Sequence, residues 1–245
     1  MDNCKIYIAG STPACGYAKS FLQAAGVCIA EHPSGDVTHL LLDVPSFGPE
    51  GTLRGGGSLE DLLKKFPKNV IVCGGNLKYP SLTGYAAIDL LRSEDYLCQN
   101  AYLTAECALD VAMPYLSITL RECPILILGW GRIGKCLAQL LGRICPDISV
   151  SARKETDRAM IQMMGYHAAA FKIDLSRYRL IFNTVPAPIL SREQMSHCHP
   201  DCVKIDLASV PGMDDDDVIH ARGLPGIHVP ESSGKLIAET LIKLL

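Results

Sequence analysis

The sequence predicts an α/β protein built from two parallel-sheet α/β domains joined by a long helix. Short apolar runs alternate with amphipathic stretches over the first hundred residues, and the same alternation starts again at Pro124. A long helical pattern lies between them. Such alternation means strands that reach parallel neighbours by crossing through helices. The expected divisions are 1–100 for an N-terminal α/β domain, 101–122 for the linking helix, and 123–245 for a second α/β domain.

Each element has a local reason. Lys5–Ala9 reads as a strand ending at Gly10, and Ala14–Ala25 as a helix stopped by Gly26. Val27–Ala30 and Thr38–Asp43 read as strands. Ser58 is a good N-cap for a short amphipathic helix through Phe66, with Asp61 three residues on. Asn69–Cys73 reads as a strand and Leu82–Leu91 as a helix. Asp95–Gln99 is expected as a short strand, and Thr104–Leu120 as the linking helix, kinked at Pro114. Pro124–Leu128 is a buried strand, followed by a helix with Ile133, Leu137, Leu140, Leu141 and Ile144 on one face, and by a strand at Ile148–Ala152. Beyond it come a helix at Glu155–Met164, a strand at Tyr178–Phe182, a short helix from Ser191 and a strand at Val203–Leu207. Asp214–Asp217 are expected to open a helix, Ile227–Val229 to form the last strand, and Ser232 or Ser233 to cap the closing helix.

Composition excludes several classes. The 245 residues are 48% apolar and 20% charged, an ordinary globular balance. A net charge of −3 gives no electrostatic case for a nucleic-acid partner. No apolar run reaches membrane-spanning length, and no secretory signal is evident. The 11 cysteines are odd in number, and several sit inside element patterns, which points to the reducing cytoplasm. The stretch His197-Cys-His-Pro-Asp-Cys202 holds metal-ligand residue types but has no companion cluster, so it reads as a connecting loop and no metal is expected.

The chemistry centres on Gly129-Trp-Gly-Arg-Ile-Gly134, spaced G-x-G-x-x-G between a strand and a helix. Gly129 permits the tight turn, Gly131 lets a pyrophosphate approach the bare backbone, and Gly134 lets helix and strand pack closely. The helix N-terminus, at Arg132 and Ile133, offers N–H groups and the positive dipole end to phosphates. This is the context of an NAD(P)-binding Rossmann domain; the N-terminal sheet is expected to be flavodoxin/Rossmann-like. An NAD site carries Asp or Glu about 20 residues beyond the glycines. Here Ser151, Arg153 and Lys154 stand there, with Glu155 the nearest carboxylate. Two cations and a hydroxyl suit a ribose 2′-phosphate, which favours NADP over NAD.

Further candidates are less specific. Arg54, beside Gly55-Gly-Gly57 in the loop Pro45–Gly57, and Lys78, after Gly74-Gly-Asn76, could clamp a carboxylate at the carboxyl edge of the N-terminal sheet. Composition alone favours a solvated surface loop for the Arg54 segment. Thr104 and Glu106 are expected in the first turn of the linking helix, where capping and the helix dipole account for them without a ligand.

Taken together, the glycine motif, Ser151-Ala-Arg153, Asn183-Thr-Val-Pro186, Asp206-Leu-Ala-Ser209 and Ser233-Gly234 resemble the dipicolinate synthase A-subunit family in order and spacing. The resemblance extends through Asn100, Thr104 and Glu106 and, more faintly, over the N-terminal sheet. It implies NADP-linked oxidation of dihydrodipicolinate to dipicolinate in sporulating bacteria, beside a flavoprotein-like B-subunit. By position it gives Asn183, Thr184, Val185, Pro186, Asp206, Ala208 and Ser209 to the cofactor, with Thr104, Glu106 and Asn183 as catalytic candidates. Arg54, Lys78 and Asn100 go to a small dicarboxylate substrate. A homo-oligomer is expected. Two alternatives stand beside this reading: an NADP(H)-binding sensor or assembly protein without turnover, and a Rossmann reductase of another small carboxylate.

The chain departs from the family pattern in three places. Leu103-Thr-Ala-Glu-Cys107 replaces Pro-Thr-x-Glu-Gly, and Pro114 has no family counterpart. Gly223-Leu-Pro-Gly226 precedes the expected last strand where the family has the strand first, which reads as a shortened C-terminal region. Either that strand is lost and residues 223–226 form the active-site loop, or the strand survives and the loop has been deleted.

Overall fold

The computed structural model describes residues 4–48, 51–78, 80–170 and 173–245; Pro49 and Glu50 of the Arg54 loop lie outside the described residues. The first elements are β1 (Lys5–Ile8), α1 (Pro13–Ala24), β2 (Cys28–Ala30), β3 (His39–Leu41), α2 (Leu59–Leu63), β4 (Ile71–Gly74), β5 (Ala87–Asp89) and α3 (Glu94–Ala112). Then follow β6 (Ile125–Leu128), α4 (Arg132–Leu141), β7 (Ile148–Ser151), α5 (Glu155–Met163), β8 (His167–Ala169), β9 (Leu180–Asn183), α6 (Arg192–Met195), β10 (Val203–Asp206), β11 (Ile219–His220), α7 (Leu224–His228) and α8 (Pro230–Leu244). Two compact units result: Met1–Asn100 with Pro225–Leu245, and Ala101–Leu224.

The first unit holds a five-stranded sheet in the order β2-β1-β3-β4-β5, parallel throughout. That is the flavodoxin-like order of a doubly wound sheet, whose direction of winding reverses between β1 and β3. One face is sealed by Leu40, Leu42, Val70 and Val72 against Leu59 and Leu63 of α2. α1 begins with Pro13, whose missing N–H costs nothing there, and Gly26 ends the turn behind it at φ +82°. The expected helix at Leu82–Leu91 is instead β5 followed by a 3₁₀ turn. Gly84, at φ +93°, breaks a helix there, and Asp89 accepts the amides of Asn76, Leu77 and Leu91.

α8 packs against α1 in this unit, although the sequence pattern had grouped it with the second sheet. The contact is close: a Cβ on Gly234 would lie 2.4 Å from the Ala14 carbonyl oxygen. α8 starts at Pro230, so Ser233 is buried inside the helix and does not cap it.

α3 replaces the expected short strand and shorter helix. Ser93 receives the Tyr96 amide, Glu94 and Asp95 favour the first turn, and the buried positions Ala101, Ala105, Ala108 and Ala112 continue one helical face. The helix stops at Ala112, ahead of Pro114, so the proline ends it and does not kink it.

The second unit carries a six-stranded sheet in the order β11-β10-β9-β6-β7-β8, again parallel. This is the Rossmann order, with its reversal between β6 and β9. The last strand is β11 and not Ile227–Val229; Ala221 extends its ladder to the Asp206 carbonyl. Gly223, at φ +65°, then turns the chain into α7. The strand therefore precedes Gly223–Gly226, and neither a lost strand nor a deleted loop is needed. Asp214–Asp217 open no helix. Asp215 meets Lys204 at 2.6 Å and Asp216 meets Arg192 at 2.9 Å, and these ion pairs hold the segment as a loop.

The α1–α8 contact yields a test. Gly234→Val is expected to destabilise the protein by about 1–3 kcal/mol through overpacking. Denaturant unfolding reads it directly; an unchanged midpoint would show that the helices do not meet at this glycine.

Candidate functional site

Gly129 leaves β6 at φ +104°, and a Cβ there would sit 2.6 Å from Thr184 Oγ1 and 2.8 Å from Val185 Cγ2. A Cβ on Gly134 would sit 2.2 Å from the Gly129 carbonyl oxygen. Packing therefore demands the first and third glycines of the motif. The middle one differs. A Cβ on Gly131 would meet no heavy atom within 4 Å. Gly131 is the N-cap of α4, and no side chain caps that end.

Outside this bare helix start lies a cavity of about 450 Å³, lined by Gly129, Trp130, Gly131, Ala152, Arg153, Asp157, Val185, Ala187 and Ile189. It sits at the carboxyl ends of β6, β7 and β9, where a doubly wound sheet binds its ligand. Backbone amides at a helix start suit a diphosphate, an exposed guanidinium suits a further phosphate, and the apolar walls suit a flat ring. The residues present thus fit a dinucleotide.

The predicted cofactor residues divide by position. Arg153 is exposed and lines the cavity. Lys154 is exposed as the N-cap of α5 and does not line it. Ser151 is fully buried, with its hydroxyl unpartnered, so it faces the interior and not a ribose phosphate. Glu155 borders a separate groove with Arg158 and Gln162; the carboxylate in the crevice is Asp157. The sequence reading missed Asp157 because it counted along the strand. Asp157 stands in the first turn of α5, which starts just after the turn at Arg153 and Lys154, and so borders the same cavity as Arg153.

Asn183 is fully buried. Its Nδ2 donates to Asp206 at 2.9 Å and to the Val185 carbonyl at 3.2 Å, and its Oδ1 accepts the Val185 amide at 3.0 Å. Asp206, also fully buried, accepts in addition the amides of Ala208 at 3.0 Å and Gly212 at 2.8 Å. These side chains staple the ends of β9 and β10. Asn183 thereby positions the loop that carries Val185. Thr184 Oγ1 donates to the Leu128 carbonyl at 2.9 Å and anchors Val185 in the wall. Pro186 and Ser209 are exposed and Ala208 is buried; none of them lines the cavity. Arg132 is exposed and Ile133 half-buried in the first turn of α4.

Thr104 and Glu106 lie in the interior of α3, not at its start. Two residues are about 200° apart around a helix. Thr104 is accordingly buried and Glu106 exposed, and the pair cannot face one ligand. Arg54 and Lys78 are exposed and Asn100 is half-buried. The first unit has its own cavity of about 390 Å³, bordered by Ser11, Asp43, Ser46, Gly55–Gly57, Ser58, Asp61 and Lys65. The glycines beside Arg54 line it, whereas Arg54 and Lys78 do not. Asp43 accepts Thr12 Oγ1 at 2.6 Å and the amides of Thr12 at 3.0 Å and Ser11 at 3.1 Å. Burial alone would raise its pKa; the hydrogen bonds from Thr12 and Ser11 together outweigh burial and hold it below the usual carboxylate range.

Among the described residues, no group of three or more His, Cys, Asp or Glu side chains could hold a metal ion. None of the 11 cysteines is in a disulfide. No helix among the described residues is long and apolar enough to cross a membrane.

The second sheet has the Rossmann order with a glycine-lined crevice at its reversal, the place where folds of this class bind a dinucleotide. No family model matches the chain. It is 26% identical over 247 residues to the dipicolinate synthase A-subunit of Bacillus subtilis (strain 168), an alignment covering 92% of this chain and 83% of that one. Crystal structures of the dipicolinate synthase A-subunit share the fold. That from Bacillus halodurans has a TM-score of 0.84 at 21% identity, covering 99% of this chain and 98% of the other. That from Bacillus subtilis has a TM-score of 0.84 at 22% identity, covering 100% and 96%. A transhydrogenase from Sinorhizobium meliloti has a TM-score of 0.73 at 15% identity, covering 98% and 92%. The chain is thus a distant sequence homologue of the dipicolinate synthase A-subunit and has its fold.

Two outcomes are expected. Gly131→Val abolishes NADPH fluorescence enhancement while costing less than about 1 kcal/mol of stability, whereas Gly134→Val costs about 3 kcal/mol or more. Retained binding in Gly131→Val would show that the crevice is not the nucleotide seat. Separately, Asp43 has a depressed folded pKa, so its contribution is present above the unfolded value of about 3.9 and is lost as pH falls through the folded value. Asp43→Asn should flatten the acid limb of stability below about pH 4. An acid limb as steep as that of the wild type would refute the assignment.

Proposed function

We propose that the protein is an NADP-dependent dehydrogenase that oxidises dihydrodipicolinate to dipicolinate. The observation that carries the reading is Arg153 in the same cavity as Gly129 and Gly131. The homology to the dipicolinate synthase A-subunit supports the substrate. Bound there, the oxidised nicotinamide supplies a hydride acceptor, and the substrate loses a proton as its ring becomes aromatic.

The chain's own residues bind and orient. Gly131 and the first turn of α4 take the diphosphate on main-chain amides. Arg153 holds the 2′-phosphate through a fork of parallel hydrogen bonds, which Lys154 could not match with a point charge. Val185, Ala187 and Ile189 form an apolar wall that keeps water from the bound dinucleotide. The Asn183–Asp206 staple fixes that wall before ligand arrives, so the ordering cost is met in folding. Cysteines that form no disulfide suit the reducing cytoplasm proposed for the chain. Kinship with an A-subunit implies a different partner protein, of the flavoprotein-like B type, and a homo-oligomer of this chain is proposed with it.

One observation favours a second reading. Asn183 is spent internally and Thr104 and Glu106 diverge, so these candidates supply no common proton acceptor. An NADP(H)-binding sensor or assembly protein without turnover fits that arrangement.

Purified protein given NADP and dihydrodipicolinate, with and without the flavoprotein-like partner, separates the two readings. Appearance of reduced nicotinamide is expected; tight NADPH binding without turnover in either mixture would favour the sensor. In the same assay Arg153→Asp should weaken NADP binding roughly 10- to 100-fold and NAD binding far less. Equal losses would show that Arg153 does not hold the 2′-phosphate.

A further inference from the structure

Between β7 and α5 the chain turns through Ala152, Arg153 and Lys154. Arg158 ties this turn down. Its Nη1 donates to the Ala152 carbonyl at 3.0 Å and to the Arg153 carbonyl at 2.7 Å. Its own amide donates to the Lys154 carbonyl at 3.1 Å. On the other side the Ala152 amide donates to the Ala169 carbonyl at 3.0 Å. Ala152 is therefore held at both its N–H and its C=O, and the main chain of Arg153 is fixed from behind.

We propose that Arg158 is a specificity-determining positioning residue that sets Arg153 to meet an adenosine 2′-phosphate. This rests on the reading of the crevice as an NADP site. Two physical effects carry it. First, carbonyl oxygens at the carboxyl end of a strand bear partial negative charge, and next to a phosphate they repel it. The half-buried Arg158 guanidinium offsets those of residues 152 and 153 by donating to both. Second, a clamped turn presents Arg153 without a further ordering cost on binding.

The neighbouring Asp157 makes the position of the turn decisive. It lines the same cavity as Arg153. A carboxylate accepts hydrogen bonds from ribose hydroxyls and repels a 2′-phosphate, so it favours the unphosphorylated ribose. With the turn held, the guanidinium of Arg153 meets the ribose. With the turn released, Arg153 gains freedom while Asp157, fixed on α5, stays in place. Loss of the clamp therefore moves selectivity toward NAD. Sequence spacing gives no hint of this role, because Arg158 reaches backward over a helical turn to atoms that every residue type possesses.

The test uses the full chain and two probes without a nicotinamide, adenosine 2′,5′-bisphosphate and adenosine 5′-monophosphate, titrated by calorimetry. The wild type is expected to bind the bisphosphate more tightly. Arg158→Met should lose about tenfold in bisphosphate affinity and little for the monophosphate. Arg158→Lys, which keeps the charge and a donor, should fall between them; it carries the test alone if the methionine variant does not fold. A general loss of structure would weaken both probes together and would overturn the proposal. So would variants that keep the wild-type ratio while Arg153→Met loses it. A wild type that does not distinguish the two probes would instead refute the NADP reading, and the role of Arg158 would fall with it.

Discussion

The approach of α4 to the end of β6 governs the second unit. No side chain fits at position 134, because a Cβ there would lie 2.2 Å from the carbonyl oxygen of Gly129. That approach sets the start of the helix against the turn, with Gly131 at the edge of the crevice. Gly129 is constrained in turn by Thr184 and Val185, which arrive from the neighbouring strand β9. The glycine turn, the helix start and the far wall of the crevice are thus one packing unit. A change in any of them displaces the others, because interiors are close-packed and do not deform smoothly.

Buried carboxylates at strand ends do comparable work in both units. Asp206 gathers Asn183 and the amides of residues 208 and 212; Asp43 gathers Ser11 and Thr12. Each lies at the carboxyl edge of its sheet, where main-chain donors lose their ladder partners and must find others. A carboxylate accepts several such donors at once, and charge-assisted bonds of this kind are stronger than neutral ones. These bonds tie down the chain just beyond β3 and β10.

Much of the architecture was legible along the chain. Apolar runs located most strands of both sheets, and the glycine spacing located the crevice, because these signals are local and obey fixed periods. Errors came where local signals compete. Leu82–Leu91 has a helical pattern, yet Ala87–Asp89 pairs with β4. Ile227–Val229 has strand propensity, but the edge position beside β10 is already taken by Ile219 and His220. Thr104 looks like a cap because an acid follows it, yet the helix begins ten residues earlier, at Glu94.

By itself the amino-acid order determined the class of fold, the nucleotide-type turn and a cation at the end of β7, since each depends on neighbours within a helical turn or a strand. Only the tertiary structure decided which side chains line the crevice. Burial turns Ser151 and Asn183 inward, the start of α5 sets Asp157 at the crevice, and the main-chain carbonyls of 152 and 153 find Arg158. It also assigned α8 to the first unit, through a glycine contact between residues far apart in the chain. The physical reason is that exposure and partnership belong to three-dimensional packing, which periodicity constrains but does not specify.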